Sequence, residues 1–285
     1  MEKLLSVVIV TYKNEEIVSN CLESIYEFND IGNKLEVIII DNSPDFNVRN
    51  YVVGEYPDVK FNKNKNNGFG EANNKGAKLA KGKYILFLNP DTILVEPIFQ
   101  FAIEKFEGDM RLGLFGIKLV DKDLKRNMSF YLMEAQGLLD NFLTKISNKL
   151  DIYINGKMFI AGADMFIRKE LFIEVEGFDE KIFMYNEEPD LTRRIISSGY
   201  KTGYFKNKQI IHLEGTSMDN YDSLERALKS SYYYYSKYRL DYFRKLDADI
   251  RVEKVKKFVY SLFKPESVHI IENRIRIFEH FRNTL

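Results

Sequence analysis

A turn that follows a predicted strand is the first place where this sequence suggests chemistry. Asn-Pro-Asp-Thr occupies residues 89–92, directly after the apolar run over residues 83–88. A carboxylate on a sharp turn at the end of a buried strand is held in position and open to solvent, as is needed to hold a divalent cation against a diphosphate. Asn-Pro-Asp is also an ordinary turn sequence. Asp91 is therefore a candidate metal ligand, and the support for this role depends on the residues around it.

Three carboxylates within four residues form a second group. Glu187, Glu188 and Asp190 stand at the start of a predicted helix over residues 187–198, where free backbone N–H groups and the helix dipole favour negative charge. Such a cluster is also an ordinary helix cap. The functional interpretation is that one carboxylate acts as a general base, within hydrogen-bond distance of an attacking hydroxyl.

The histidine at position 212 is the third candidate group. Of the three histidines, only His212 follows a predicted strand of the main unit, since His269 and His280 belong to the C-terminal region. A lone histidine is more often structural than a ligand. Together with Asp91, however, His212 would complete a mixed carboxylate and imidazole metal site whose other positions go to water and diphosphate oxygens.

The elements that must position these groups alternate along the chain. Apolar, β-branched residues over 5–10 predict a central parallel strand covered on both faces. Further strands are predicted over 35–40, 59–62 and 83–88, a turn after residue 41, and helices over 15–28 and 70–80. This alternation is typical of a parallel α/β sheet. Such sheets bind ligands at the carboxyl ends of their strands, where Thr11, Tyr12 and Asp41 also stand.

The second half of the chain is less regular. A strand is predicted over residues 111–120, and a helix or an ordered loop with exposed apolar groups over 131–150. Residues 159–168 predict a strand or the start of a helix, and residues 204–212 predict a final strand. Beyond residue 220, Tyr-rich and basic segments predict a helical appendage. Its aromatic side chains either pack on the main domain or, with the excess of Lys and Arg, contact an anionic surface.

Whole-chain composition excludes several classes of protein. The 285 residues carry 42 Lys plus Arg and 42 Asp plus Glu, so the zero net charge argues against a nucleic-acid binder. The single cysteine excludes an internal disulfide and a cysteine-based zinc site, and it is typical of a reduced, cytoplasmic protein. The N-terminal apolar run is shorter than the about 20 residues of a membrane helix. The segment over 68–73 lacks the third glycine of a dinucleotide-binding motif.

Several blocks, taken in order over about residues 4–217, carry a resemblance to a known family. They are LSVVIVTYKNEE, VIIIDNS, NNGFGEANNKGAKLAKGKYILFLNPDT, FIAGADMFIRKELFIEVEGFDEKIFMYNEEPDLTRR and HLEGTS. Together they resemble family 2 of the glycosyltransferases, and within it bacterial rhamnosyltransferase-like members. The resemblance implies an α/β protein with the GT-A fold, in which helices flank a mostly parallel central sheet. A catalytic domain over 1–220 would then precede a helical C-terminal appendage over 221–285.

The resemblance also assigns roles to residues. The donor nucleotide is expected to contact Thr11, Tyr12, Glu15, Asp41, Asn67, Gly68, Asn89 and Asp91. In this set Asp41 matches the acid that pairs with a pyrimidine, and Asn89 and Asp91 match the two ends of the DXD motif. Asp91 and His212 are the expected ligands of Mg²⁺ or Mn²⁺. Glu188 matches the catalytic base, with Glu187 and Asp190 as alternatives, because the family's Glu-Asp pair is Glu-Glu here. The first DXD acid is Asn89, so its ribose contact is an uncharged hydrogen bond.

The expected reaction follows from these roles. Glu188 would deprotonate an acceptor hydroxyl that displaces the nucleotide diphosphate with inversion. The implied donor is dTDP-rhamnose or a UDP-hexose, and the acceptor is a polysaccharide or lipid-linked oligosaccharide of the bacterial cell envelope. A cytoplasmic enzyme with peripheral contact at the cytoplasmic membrane face is expected, and a homodimer stays open. The alternatives are a non-catalytic nucleotide-sugar-binding relative and a sugar nucleotidyltransferase, although residues 11–16 lack the latter's Gly-rich basic loop.

Overall fold

One mixed sheet of eight strands organises the computed structural model, which describes residues 2–13, 15–45, 47–213, 221–264 and 268–285. The strand order is β3-β2-β1-β4-β9-β6-β10-β5. Its strands are β1 (Leu5–Thr11), β2 (Leu35–Asp41), β3 (Lys60–Lys63), β4 (Tyr84–Leu88), β5 (Thr92–Leu94), β6 (Leu112–Val120), β9 (Asp164–Arg168) and β10 (Lys201–His212). A separate hairpin pairs β7 (Phe130–Leu132) with β8 (Met158–Ile160).

The N-terminal half has the predicted parallel arrangement. β1 pairs in parallel with β2 and β4, and β2 pairs in parallel with β3. Helices α1 (Glu15–Glu27) and α3 (Phe69–Leu79) lie within one residue of their predicted bounds. The segment after Asp41 was predicted only as a turn, but it also contains helix α2 (Asn47–Glu55). Its weak apolar pattern gave no periodic signal.

The C-terminal half introduces the antiparallel pairs. β9 lies between β4 and β6 and is antiparallel to both, while β10 is parallel to β6 and antiparallel to β5. Four further helices complete this half: α4 (Phe99–Gly108), α5 (Leu138–Leu150), α6 (Lys169–Glu174) and α7 (Glu187–Ser197). The sheet is therefore less uniformly parallel than the sequence predicts, because a strand late in the chain enters its centre.

Two apolar cores cover the faces of the sheet. Side chains of α1 and α4 pack on one face, with Cys21 and Phe106 fully buried. Side chains of α3, α6 and α7 pack on the other, with Leu191 and Ile195 fully buried. Burial of both faces explains why the central strands read as continuous apolar runs.

The C-terminal appendage is helical, as predicted. It consists of α8 (Tyr221–Lys237), α9 (Tyr242–Phe263) and α10 (Val268–Thr284). Tyr234, Tyr235 and Tyr242 are buried in a core that these helices share. Their burial accounts for part of the tyrosine enrichment by packing. Within the described residues, no helix is long and apolar enough to cross a membrane.

Candidate active site

Asp41, a candidate donor-binding residue, ends β2 and is completely buried. Thr11 Oγ1 donates to Asp41 Oδ1 over 3.0 Å, and Ser43 donates to the same oxygen from its backbone N–H and its hydroxyl. Lys63 Nζ lies 2.7 Å from Oδ2. A carboxylate has about four acceptor positions, so this network fixes Asp41 while leaving capacity at Oδ2.

Tyr12 lies directly after this network and is half exposed. The backbone N–H of Lys13 donates to Ser43 Oγ over 2.8 Å, which ties the loop after β1 to the loop after β2. The structure thereby brings together Thr11, Tyr12 and Asp41, as the sequence predicts. Glu15 begins α1, and its side chain lies outside the described residues.

The loop with Asn67 and Gly68 closes against the segment before α7. Gly68 has φ +123°, and a Cβ there would stand 2.6 Å from the carbonyl oxygen of Phe183. The backbone N–H of Phe69 donates to that same oxygen over 2.9 Å. Only glycine fits this close approach. Asn67 is exposed next to it, so the loop stands at the rim of the cleft.

The turn after β4 brings Asp91 and His212 together although 121 residues separate them in sequence. His212 is the register partner of Thr92 in the β10–β5 pair, and the N–H of Leu213 donates to the Asp91 carbonyl over 2.9 Å. His212 Nε2 lies 3.4 Å from Asp91 Oδ1, and both side chains retain about 15 % exposure. These two donors are close enough to serve one cation.

Asp91 and His212 supply only part of the ligands that a metal ion requires. Among the described residues, no group of three or more His, Cys, Asp or Glu side chains is arranged to hold a metal ion. Asp91 and His212 therefore fit a cation whose remaining ligands come from phosphate oxygens and water. Cys21 lies below the turn, with Sγ 3.8 Å from the Asn89 carbonyl oxygen. Burial raises the Cys21 pKa to about 12, so its side chain is an uncharged thiol.

The structure separates the three candidate bases at the start of α7. Asp190 is completely buried and ion-paired with Arg194 and Lys237, and it accepts a hydrogen bond from Tyr238 over 2.9 Å. These contacts join α7 to the C-terminal appendage. Asp190 is therefore engaged in holding the two regions together.

Glu188 has a different environment. Its Oε1 lies 2.6 Å from the position that a Cβ on Gly162 would occupy, so the carboxylate packs directly against Gly162 and a larger residue there would displace it. Burial raises the Glu188 pKa to about 7, against the opposing effect of backbone hydrogen bonds that include Gly162. A carboxyl with a pKa near neutrality can accept a proton from an attacking hydroxyl.

Glu187 is more deeply buried than Glu188. Its Oε2 has no hydrogen-bond partner among the described residues, and burial raises its pKa well above the usual value, with the Glu188 charge adding to the effect. Two adjacent acids with raised pKa values in one cleft are typical of an active site rather than of a helix cap.

Residues 162–163 connect the turn that contains Asp91 to Glu188, the candidate base. The backbone N–H of Asn89 donates to the Ala163 carbonyl over 3.0 Å, and the neighbouring Gly162 contacts Glu188. The Asp91 turn and Glu188 thus both contact residues 162–163, just before β9.

Sequence reasoning missed one buried acid beside this edge. Asp164 begins β9 and is completely buried, and its Oδ2 accepts a hydrogen bond from the Ile117 N–H over 2.7 Å. Burial raises its pKa well above the usual value, and Oδ1 has no partner among the described residues. An acid inside the apolar stretch over 158–167 was the signal that could have identified it.

Comparison with known proteins assigns this α/β fold to a family. The family model described as glycosyl transferase family 2 matches residues 6–175, more than half of the chain. The chain belongs to that family. The resemblance seen in the sequence is therefore confirmed.

Individual relatives are consistent with this assignment. Rhamnosyltransferase WbbL of Escherichia coli is 26 % identical over 255 residues, which cover 82 % of this chain and 93 % of that protein. An N-acetylglucosaminyl-diphospho-decaprenol L-rhamnosyltransferase of Mycobacterium tuberculosis is 32 % identical over 76 residues, 26 % of this chain and 25 % of that one.

A solved structure shares the fold. The mannosyltransferase PcManGT of Pyrobaculum calidifontis, solved in complex with GDP-Man and Mn²⁺, superposes with a TM-score of 0.62 at 16 % identity. The match covers 96 % of this chain and 74 % of that one. This likeness confirms the predicted GT-A fold.

Proposed function

We propose that this protein is an inverting, metal-dependent glycosyltransferase. It moves rhamnose or a hexose from a dTDP- or UDP-sugar to a hydroxyl of a polysaccharide or lipid-linked oligosaccharide. The observation that carries the proposal is the Glu188 carboxyl, which has a pKa near 7 and is linked through Gly162 and Ala163 to the Asp91 turn. A proton acceptor thereby lies beside a site for a diphosphate.

The donor side supports nucleotide binding. The Asp41 carboxylate is held by Thr11, Ser43 and Lys63 and is completely buried, so a uracil or thymine ring would reach its Oδ2 only when Lys63 moves aside. Tyr12 presents an exposed ring next to it. These features support a pyrimidine nucleotide as the proposed donor.

Asp91 and His212 would hold Mg²⁺ or Mn²⁺, since carboxylate, imidazole and phosphate oxygens form a mixed ligand set that these ions accept. When bound, such an ion neutralises the negative charge that develops on the departing diphosphate. The protein's own part is to hold the two side chains together through the Leu213–Asp91 backbone hydrogen bond and the β10–β5 pairing.

Glu188 supplies the proton acceptor. Below its pKa of about 7 the carboxyl is protonated and inactive as a base, and above it the carboxylate accepts the proton of the acceptor hydroxyl. Direct attack by that oxygen forms the new glycosidic bond as the bond to the diphosphate breaks, so the configuration at the anomeric carbon inverts. Glu187, which is more buried, is the remaining alternative.

The relatives favour rhamnose and a lipid-linked acceptor. Two of them are rhamnosyltransferases, and one is named for an acceptor on diphospho-decaprenol. Access to a lipid-linked acceptor requires contact with a membrane face. The appendage supports such contact, because Phe258, Leu262 and Phe263 of α9 are exposed near Lys257 and Lys264.

A thermal-shift screen of nucleotide sugars tests the donor assignment. Each dTDP-, UDP- and GDP-sugar is added with and without Mn²⁺, and a ligand at 100 times its dissociation constant stabilises the protein by about 2.7 kcal/mol. We expect the largest shift with dTDP-rhamnose or a UDP-hexose, and only with the metal. A shift with GDP-sugars alone would contradict the proposed donor class.

A further inference from the structure

Helix α5 faces the protein with its polar side. Thr144 and Asn148, four residues apart and therefore on one helix face, are buried. Asn148 donates to the Phe130 carbonyl over 2.8 Å and accepts from the Ser129 N–H over 2.9 Å. These hydrogen bonds attach α5 to the β7 strand in place of apolar packing.

The opposite face of α5 is apolar and exposed. A surface helix normally turns its apolar stripe towards the core, but six large apolar side chains here are 36–68 % exposed. They follow the helical repeat and therefore share one face: Leu138, Leu139, Phe142, Leu143, Ile146 and Leu150. Ile152 and Ile154 extend the exposed surface past the end of the helix. A contiguous apolar surface of this kind marks an interaction site.

The charges beside this surface indicate its partner. Lys145 and Lys149 are exposed, lie four residues apart and border the apolar face along one side. An apolar helix face with lysines at its border is the pattern that binds in the interface of an anionic bilayer. An antiparallel two-fold pair of α5 helices would instead bring the two lysine rows together, which is unfavourable.

We propose that α5 and the residues up to Ile154 form a docking surface for an anionic lipid bilayer, with the apolar side chains inserted at the boundary of headgroups and acyl chains. The placement suits the site. Asn148 holds β7, β7 pairs with β8, and the chain after β8 reaches Gly162 beside Glu188. The bilayer would thus lie on the outer face of α5, whose inner face contacts the hairpin that leads to Gly162, and a lipid-linked acceptor would approach the site from this side. This last step rests on the proposed function.

The test compares two double variants of the full chain in co-sedimentation with vesicles of phosphatidylglycerol and phosphatidylcholine. Leu139→Glu with Phe142→Glu places charge on the docking surface, whereas Met110→Glu with Ile173→Glu changes two equally exposed residues elsewhere. We expect at least roughly tenfold weaker partitioning for the first variant, and no change for the second. Equal partitioning of both variants would overturn the proposal.

Two further readouts separate the explanations. Sedimentation without vesicles reports the oligomeric state, and a wild-type dimer that the α5 variant converts to a monomer would assign this surface to a second copy and overturn the lipid proposal. Calorimetric binding of UDP and dTDP with Mn²⁺, measured without vesicles, should be the same in all three proteins. A wild-type protein that binds vesicles but no nucleotide would contradict the proposed function and leave the docking surface standing.

Discussion

The donor side and the base side of the site treat their carboxylates in opposite ways. Asp41 is completely buried, yet it is bonded to Thr11, Ser43 and Lys63. Glu187 is also buried and Glu188 partly so, and burial raises the pKa of both. The difference separates a group fixed by its hydrogen-bond partners from groups whose pKa is raised by burial.

These two ways of burying a carboxylate differ in their effect on stability. A satisfied buried network is rigid and specifies one arrangement of the pocket, which suits recognition of a nucleotide. An unpaired buried acid is destabilising at neutral pH, since the charged form is poorly solvated. Such a cost is often retained where reactivity requires it, and it supports the proposal that the start of α7 is the reactive part of the site.

The largest expected effect is that of Glu188→Gln. The amide keeps the size of the side chain but cannot accept the proton, so we expect transfer to fall about 10²–10⁴-fold, while the dissociation constant of the donor stays unchanged. Radiolabelled sugar transfer and calorimetry measure the two quantities. Glu174→Gln, at an exposed position on α6, is the matched control. A larger loss with Glu187→Gln would move the base to that residue.

Next in size is the effect of Asp91→Ala. Removing this carboxylate should lower transfer about 10²-fold, because His212 alone then remains to bind the cation. Calorimetric titration of Mn²⁺ in the presence of UDP should show a matching loss of metal affinity. Asp123→Ala, on an exposed turn, serves as the control. Wild-type transfer by Asp91→Ala would remove Asp91 from the metal site.

The pH dependence should follow Glu188. Since its pKa is raised from 4.5 to about 7, kcat/KM should increase about tenfold per pH unit below 7 and level off above it. Stability should change in the opposite sense: the folded protein keeps a proton that the unfolded chain loses above 4.5, so the free energy of unfolding decreases as the pH rises from about 4.5 to 7. Glu188→Gln should abolish the part of this decrease that Glu188 causes, and denaturant titrations across this pH range measure it. An unchanged decrease in the variant would contradict the assignment to Glu188.

The smallest effect is expected on the donor side. Asp41→Asn keeps most hydrogen bonds but removes the charge opposite Lys63, so we expect nucleotide affinity to fall about tenfold and kcat to change little. Calorimetry with UDP and dTDP measures the affinity, and the exposed Asp58→Asn is the control. A loss confined to kcat would contradict the division between a recognition side and a reactive side.

Much of the fold was predictable because its first half is local and periodic. Continuous apolar runs identify β1, β2 and β4, and small residues at helical spacing identify α3. The second half was harder, since residues 131–150 could be a helix or a loop. In the structure these residues contain helix α5. Its polar face packs against the protein, an arrangement that the usual rule for amphipathic helices does not predict.

The sequence by itself identified the candidate groups. The Asp91 turn and the acids at the start of α7 are visible as residue types and spacings. Tertiary structure alone decided their division of labour: it paired Asp190 with Arg194 and Lys237, withdrew Glu188 from water, and brought His212 to Asp91. The physical reason is that pKa values and ion pairs depend on burial and on partners distant in sequence.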